Sequence, residues 1–182
     1  YKRQQQKQFL SDFRHIAKKL EQDGYTSFTP HYITWLCPPD LIQDPACVAQ
    51  CINNGRYCCP DPDGDFHSGY SGRDVVIENL RTLCVFDVAN ATGASWKWWD
   101  YVTQFGNRCT MESGNYGVEA CATAILDTLG LDVEAWRACV GDPDANDQNA
   151  LLDEQQHAQI GTDGRSDVSI LPTVVINQEQ YR

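Results

Sequence analysis

Along most of this chain apolar residues recur at helical spacing, and a strand-like character appears only near the two ends. Phe9, Phe13, Ile16, Ala17 and Leu20 share one side of the helical period, Lys7, Arg14, Lys18 and Lys19 lie mostly on the others, and Gly24 follows the last apolar turn; the pattern predicts an amphipathic helix. Thr29–Leu36, with Tyr32, Ile33, Thr34 and Trp35, predicts a strand stopped by Cys37-Pro38-Pro39. Asp44-Pro45 offers an N-cap acceptor followed by a proline that needs no donor, so a helix should open there, carry Cys47 and Cys51 on one face and end at Asn54-Gly55. Cys59 to Gly72, dense in Pro, Gly and Asp, reads as a surface loop held at one end by Cys58 or Cys59. Three helices follow, marked by Val76, Leu80 and Leu83, by Trp98, Val102 and Phe105, and by Val118, Cys121, Ala122, Ile125 and Leu129 up to Gly130. Asp132 caps a short helix ending at Gly141, and Asn149 caps another ending at Gly161. Ile170-Leu171-Pro172 leads into a last strand, Thr173–Ile176, and Asn177-Gln178-Glu179-Gln180 reads as the turn that begins a hairpin. The predicted order is therefore helix, strand, a long helical excursion, then a proline-led strand and hairpin.

Nine cysteines in 182 residues change this picture most. None forms a Cys-x-x-Cys pair, the spacing of zinc ribbons and dithiol redox centres, so structural disulfides are the expectation among Cys37, Cys47, Cys51, Cys58, Cys84, Cys109, Cys121 and Cys139. Cys109 with Cys121 is the first pair expected, because it closes a short loop between consecutive helices. Disulfides persist in oxidising compartments, which places the chain in the secretory pathway or outside the cell. Asn90-Ala91-Thr92 is an N-glycosylation acceptor that such a location makes usable. With an odd cysteine count, no initial Met and no signal segment, the chain reads as a fragment of a larger luminal protein. Its longest nearly apolar stretch, Ile170 to Ile176, is far short of the ~20 residues that span a bilayer, so any membrane anchor would lie outside this chain.

A net charge of −11 argues against nucleic acid or an anionic membrane surface as partner and favours basic peptides. The acidic runs Asp61-Pro62-Asp63-Gly64-Asp65 and Asp142-Pro143-Asp144-Ala145-Asn146-Asp147 do not complete an EF-hand, since Phe66 or Asp147 stands where the sixth-position glycine belongs and Gly72 or Asp153 where the twelfth-position Glu belongs; both read as solvated turns, with no metal. His15, His31, His67 and His157 are scattered and read as surface histidines able to titrate between neutral and acidic compartments. Of Trp96, Trp98 and Trp99, one or two should enter the core and another stay near the surface.

A small-to-medium apolar residue, proline, Thr and an apolar strand ending in Asn, as in Leu171-Pro172-Thr173 to Asn177, resembles the cis-proline segment of thioredoxin-like proteins, and helices inserted before it resemble the disulfide-oxidase branch of that fold. Longer runs narrow the likeness. Gly24-Tyr25-Thr26-Ser27-Phe28-Thr29-Pro30-His31-Tyr32-Ile33-Thr34-Trp35, Cys51-Ile52-Asn53-Asn54-Gly55-Arg56-Tyr57-Cys58, Trp98-Trp99-Asp100-Tyr101-Val102-Thr103, Gly141-Asp142-Pro143-Asp144-Ala145 and Leu171-Pro172-Thr173-Val174-Val175 resemble the central luminal region of plant and green-algal vacuolar sorting receptors, nearly end to end. The likeness implies an α/β, disulfide-rich, thioredoxin-like domain over residues 1–182, truncated at both ends, with a helical insertion over roughly residues 38–165. Cys59 departs from the family, and so does the absence of cysteines before the first helix and after the last strand.

What the resemblance implies for function is a non-enzymatic luminal module of a type I membrane receptor that moves soluble vacuolar proteins from the Golgi and trans-Golgi network to prevacuolar compartments. Its partners would be vacuolar cargo, through sorting peptides resembling Asn-Pro-Ile-Arg, and the neighbouring protease-associated and EGF-like domains. No cofactor is expected here; calcium would belong to the EGF-like repeats. Candidate peptide contacts are Trp35, Trp96, Leu171 and Pro172, the likeness placing the Leu171 backbone at a peptide-binding edge. The rival from another class is a thiol-disulfide oxidoreductase of the secretory pathway, built on Cys37. Cys37-Pro38-Pro39-Asp40 has Asp40 where a resolving cysteine would stand, which weighs against that chemistry.

Overall fold

A computed structural model describes residues 2–161 and 165–181. The chain divides into two compact units that interleave in sequence: the first holds Tyr1–Pro30 and Ile77–Pro143, the second His31–Val76 and Asp144–Arg182. Among the described residues no helix is long and apolar enough to cross a membrane.

The first unit is helical. α1 (Lys2–Gln22) packs on α4 (Lys97–Arg108), α4 on α5 (Glu119–Leu129), and α5 on α6 (Val133–Val140). The helix ends follow their sequence signals: Gly130 takes a left-handed conformation after α5, and the Asp132 carboxylate opens α6 by accepting from the Ala135 N–H. α3 (Gly72–Ala91) is buried on several sides, with Thr82, Leu83, Cys84 and Val85 consecutive in the interior, and supplies Leu80, Leu83, Val85 and Ala89 to the core, joined by Trp98, Trp99, Ile125, Leu126 and Trp136. Phe28 lies against Trp98 and Trp99, 4.9 and 4.4 Å between ring centroids, and the Trp99 indole N–H donates to Glu21 at 2.6 Å. Disulfides join Cys84 to Cys139 and Cys109 to Cys121.

The second unit contains α2 (Pro45–Val48), a short hairpin β1 (Cys51–Ile52) and β2 (Tyr57–Cys58), the first turn of α3, α7 (Ala150–Ala158), and a second hairpin β3 (Val174–Ile176) and β4 (Glu179–Tyr181). Disulfides join Cys37 to Cys47 and Cys51 to Cys58. Sheet structure among the described residues is confined to these two antiparallel pairs. Gly72 is forced by space: a Cβ there would sit 1.8 Å from the Cys59 carbonyl oxygen.

Two elements differ from the sequence expectation. The helix opening at Asp44 ends at Val48, and Cys51 lies in a strand, because Asn53, Asn54 and Gly55 all take positive φ and turn the chain back on itself so that Cys51 faces Cys58. Thr29–Leu36 is no strand; within it Trp35 alone pairs, as an isolated bridge to Cys58. Glutamine side chains take the place of a neighbouring strand. Gln155 Oε1 accepts from the Tyr32 N–H at 3.1 Å, while Gln159 accepts from the Thr34 N–H at 3.3 Å and donates to the Thr34 carbonyl at 3.0 Å. Buried backbone groups must be satisfied by something, and here α7 and the residue that follows it supply the partners.

Candidate functional site

Cross-links and short backbone bonds fix the segment around Trp35. The Trp35 N–H donates to the Cys58 carbonyl at 2.9 Å, the Cys58 N–H to the Trp35 carbonyl at 2.6 Å, and the Cys37 N–H to the Gly55 carbonyl at 2.8 Å. β2 is itself tied to β1 by the Cys51–Cys58 disulfide. The backbone of Trp35 is thus held while its side chain stays 48% exposed, beside the still more exposed Leu36. Cys37 is bonded to Cys47, ten residues on, so it presents no thiol. Cys59 stands outside the four disulfides, is buried, and its thiol lies 3.7 Å from the Ile33 carbonyl oxygen.

A buried polar network anchors α7 behind this platform. The Tyr57 hydroxyl donates to Asp153 at 2.7 Å and accepts from the Asn149 N–H at 2.8 Å, with only 1% of the residue exposed. Burial first, and then the bond to Asp153, push the Tyr57 phenol up to about 12. His31 meets Gln155 Oε1 at 3.0 Å through Nδ1. In the loop after β2 the carboxylates are occupied by their own backbone. Asp63 is held below the ordinary carboxylate range chiefly by the Asp65 N–H, and Asp65 chiefly by the Ser68 hydroxyl and then the His67 N–H.

The end of the chain is different in kind: apolar and open. Ile170, Leu171, Val174, Val175, Ile176 and Tyr181 are each 42–54% exposed, and the Leu171–Pro172 bond is cis. The Arg165 guanidinium donates to the carbonyls of Ala158 and Ile160, both at 2.7 Å. Charge is concentrated in the same unit. Residues 31–76 and 144–182 carry 13 carboxylates against four arginines and no lysine, which is −9 of the chain's −11.

The candidate contacts do not all fall in one unit. Trp35, Leu171 and Pro172 belong to the second, whereas Trp96 opens α4 in the first, half-buried beneath the Lys18 ammonium, 4.8 Å from its ring centroid. Trp98 and Trp99 are core. Asn90 is exposed in the last turn of α3. Among the described residues no group of three or more His, Cys, Asp or Glu side chains is arranged to hold a metal ion.

Sequence reasoning missed Gln155 and Gln159. Their i, i+4 spacing is the available signal, placing two amides on one side of a helix whose other residues pattern as expected. It also missed the charge partition, because the units interleave along the chain.

The whole chain, residues 1–182, matches the family model of the vacuolar sorting receptor thioredoxin-like domain. It is 56% identical over 175 residues to vacuolar-sorting receptor 1 of Pisum sativum. Against vacuolar-sorting receptors 3 and 7 of Arabidopsis thaliana it is 53% identical over 175 residues and 51% identical over 178. These alignments cover 96–98% of the chain, which spans 28% of the length of each relative.

Proposed function

This chain belongs to the family of vacuolar sorting receptor thioredoxin-like domains, and from that premise we propose that it is a non-enzymatic luminal module that binds or orients the sorting peptides of soluble vacuolar cargo. The observation that carries this reading is the character of the second unit: −9 in charge, free of lysine, and showing apolar side chains on Leu171 and the final hairpin. An extended peptide with apolar residues and an arginine complements both properties. Trp35 is an aromatic of that unit with a fixed backbone and a half-exposed side chain, and Leu171 and Pro172 complete the proposed contact. The parent would be a type I membrane protein of the Golgi, trans-Golgi network and prevacuolar compartment. The neighbouring protease-associated and calcium-binding EGF-like domains would share the cargo. Oxidoreductase chemistry is not part of this reading, since Cys37 is held by Cys47 and Asp40 occupies the resolving position.

Calorimetry tests it, using the 182-residue chain and a peptide containing Asn-Pro-Ile-Arg. Binding is expected at low salt, weaker at 0.15 M, where charges are screened over about 8 Å, and weaker again in acid, as exposed carboxylates and histidines take up protons. No binding under any of these conditions would reduce the domain to a spacer.

A further inference from the structure

The final hairpin leaves polar backbone on an open edge. Asn177 and Gln178 form a two-residue loop with φ of 50° and 71°, and the register pairs Ile176 with Glu179, Val175 with Gln180 and Val174 with Tyr181. A loop of this length makes the flanking pair hydrogen-bonded, and antiparallel pairs alternate along the ladder. Ile176 and Val174 therefore commit N–H and C=O to β4, while those of Val175 point the other way. All three side chains of β3 are 42–54% exposed, although neighbours in a strand face opposite sides. A lone two-stranded hairpin is marginal in water, and edges of this kind are ordinarily blunted with charge, proline or a cover. β3 has neither charge nor proline.

Charge identifies what complements this edge. Glu179, directly opposite Ile176, puts a carboxylate on the face shared by Val174 and Ile176, where it accepts from the Tyr181 hydroxyl at 2.9 Å. The surrounding unit is −9 and has no lysine, and the Arg165 guanidinium is committed to carbonyls. A second copy of the chain would bring the same negative charge to the edge.

We propose that the open edge of β3 accepts an extended peptide as a third strand, held by the N–H and C=O of Val175, and that the peptide carries alternate apolar side chains and an arginine or lysine directed at Glu179. This deepens, and rests on, the reading of the chain as a peptide-binding domain. Backbone pairing supplies sequence-tolerant affinity, and the alternate side chains with the one cation supply selection.

The test uses the 182-residue chain and fluorescence anisotropy with a labelled Thr-Val-Thr-Ile-Arg-Val-Thr peptide. Its comparisons are versions N-methylated at alternate residues in each phase, and one with Glu in place of Arg. Val175→Pro removes the outward donor without touching a ladder bond. Expected are at least tenfold weaker binding by Val175→Pro and by one N-methylated phase, and a similar loss for the Glu peptide that Glu179→Gln abolishes. Equal binding of parent and both N-methylated peptides overturns strand addition whether or not Val175→Pro folds. So does a chain that sediments as a dimer and excludes the peptide. If the Asn-Pro-Ile-Arg peptide binds and this probe does not, strand addition falls and the peptide-binding reading stands; if neither binds, both fall.

Discussion

Replacing Gln159 with leucine should detach Thr34 from its glutamine support. Thr34 is completely buried, and its N–H and C=O both end on the Gln159 amide, at 3.3 and 3.0 Å. Leucine fills much of the same volume but satisfies neither group, and each buried orphan costs about 1–3 kcal/mol. Gln159 is itself only partly buried, so water can reach toward the site, and the low end of the combined range of about 2–6 kcal/mol applies: about 2–3 kcal/mol. Because the chain has two units, a single unfolding midpoint would blur the effect. Amide exchange separates them. Protection at Thr34 and Trp35 should fall by about 30–140-fold, the equivalent of that free energy at 1.4 kcal/mol per tenfold, while Ile125 and Leu126 in the first unit stay within a factor of two. Gln159→Glu sharpens the test. Its carboxylate can accept from the Thr34 N–H but cannot donate to the carbonyl until protonated, so its deficit should shrink as pH falls toward 4. Unchanged protection at Thr34 in Gln159→Leu would refute the claim that glutamine amides stand in for a strand.

Tyr57, raised to about 12 in the fold from an ordinary value near 10, contributes stability that is full below pH 10 and lost as pH rises toward 12, about 2–3 kcal/mol in all; Tyr57→Phe should remove that alkaline loss and the late-titrating phenol absorbance with it. Gly72→Ala drives a methyl into the Cys59 carbonyl and should cost at least about 2 kcal/mol in urea unfolding, whereas Gly106→Ala, inside α4 with nothing within 4 Å of the added carbon, should cost nothing and gain about 0.5–1 kcal/mol of helix propensity. Removing the Cys109–Cys121 bond as a double serine variant should cost about 3 kcal/mol by freeing a 12-residue separation in the unfolded chain, measured by thermal or urea unfolding. Expression through a plant or yeast secretory pathway should yield a glycosidase-sensitive form that Asn90→Gln abolishes, seen as a gel-mobility shift.

What was legible in the sequence is what local chemistry decides. Asn149 and Asp132 cap helices in the structure because their side chains reach the N–H three residues on, and Gly130 ends one because it tolerates positive φ. The stretch Asn53-Asn54-Gly55 suits a helix end and a hairpin turn equally, and pairing of Cys51 with Cys58 seven residues apart selects the turn. Tyr32 to Trp35 carry strand propensity, yet the partners that satisfy Tyr32 and Thr34 are amides more than 120 residues away, beyond any local window. Trp96, Trp98 and Trp99 look alike in sequence; only packing against Phe28 buries the latter two while Lys18 covers the first. For the proposed contact, Leu171-Pro172 was visible as a motif, but the open edge of Val175 depends on the hairpin's register, which a two-residue loop sets and composition does not.

The partition of basic residues has a practical consequence for labelling. All five lysines, Lys2, Lys7, Lys18, Lys19 and Lys97, lie in the first unit, so succinimidyl dyes, biotinylation reagents and amine cross-linkers can modify side chains only there. Amine coupling to a sensor chip would leave every side chain of the second unit in its native chemical form, including Trp35, Leu171 and the β3–β4 hairpin.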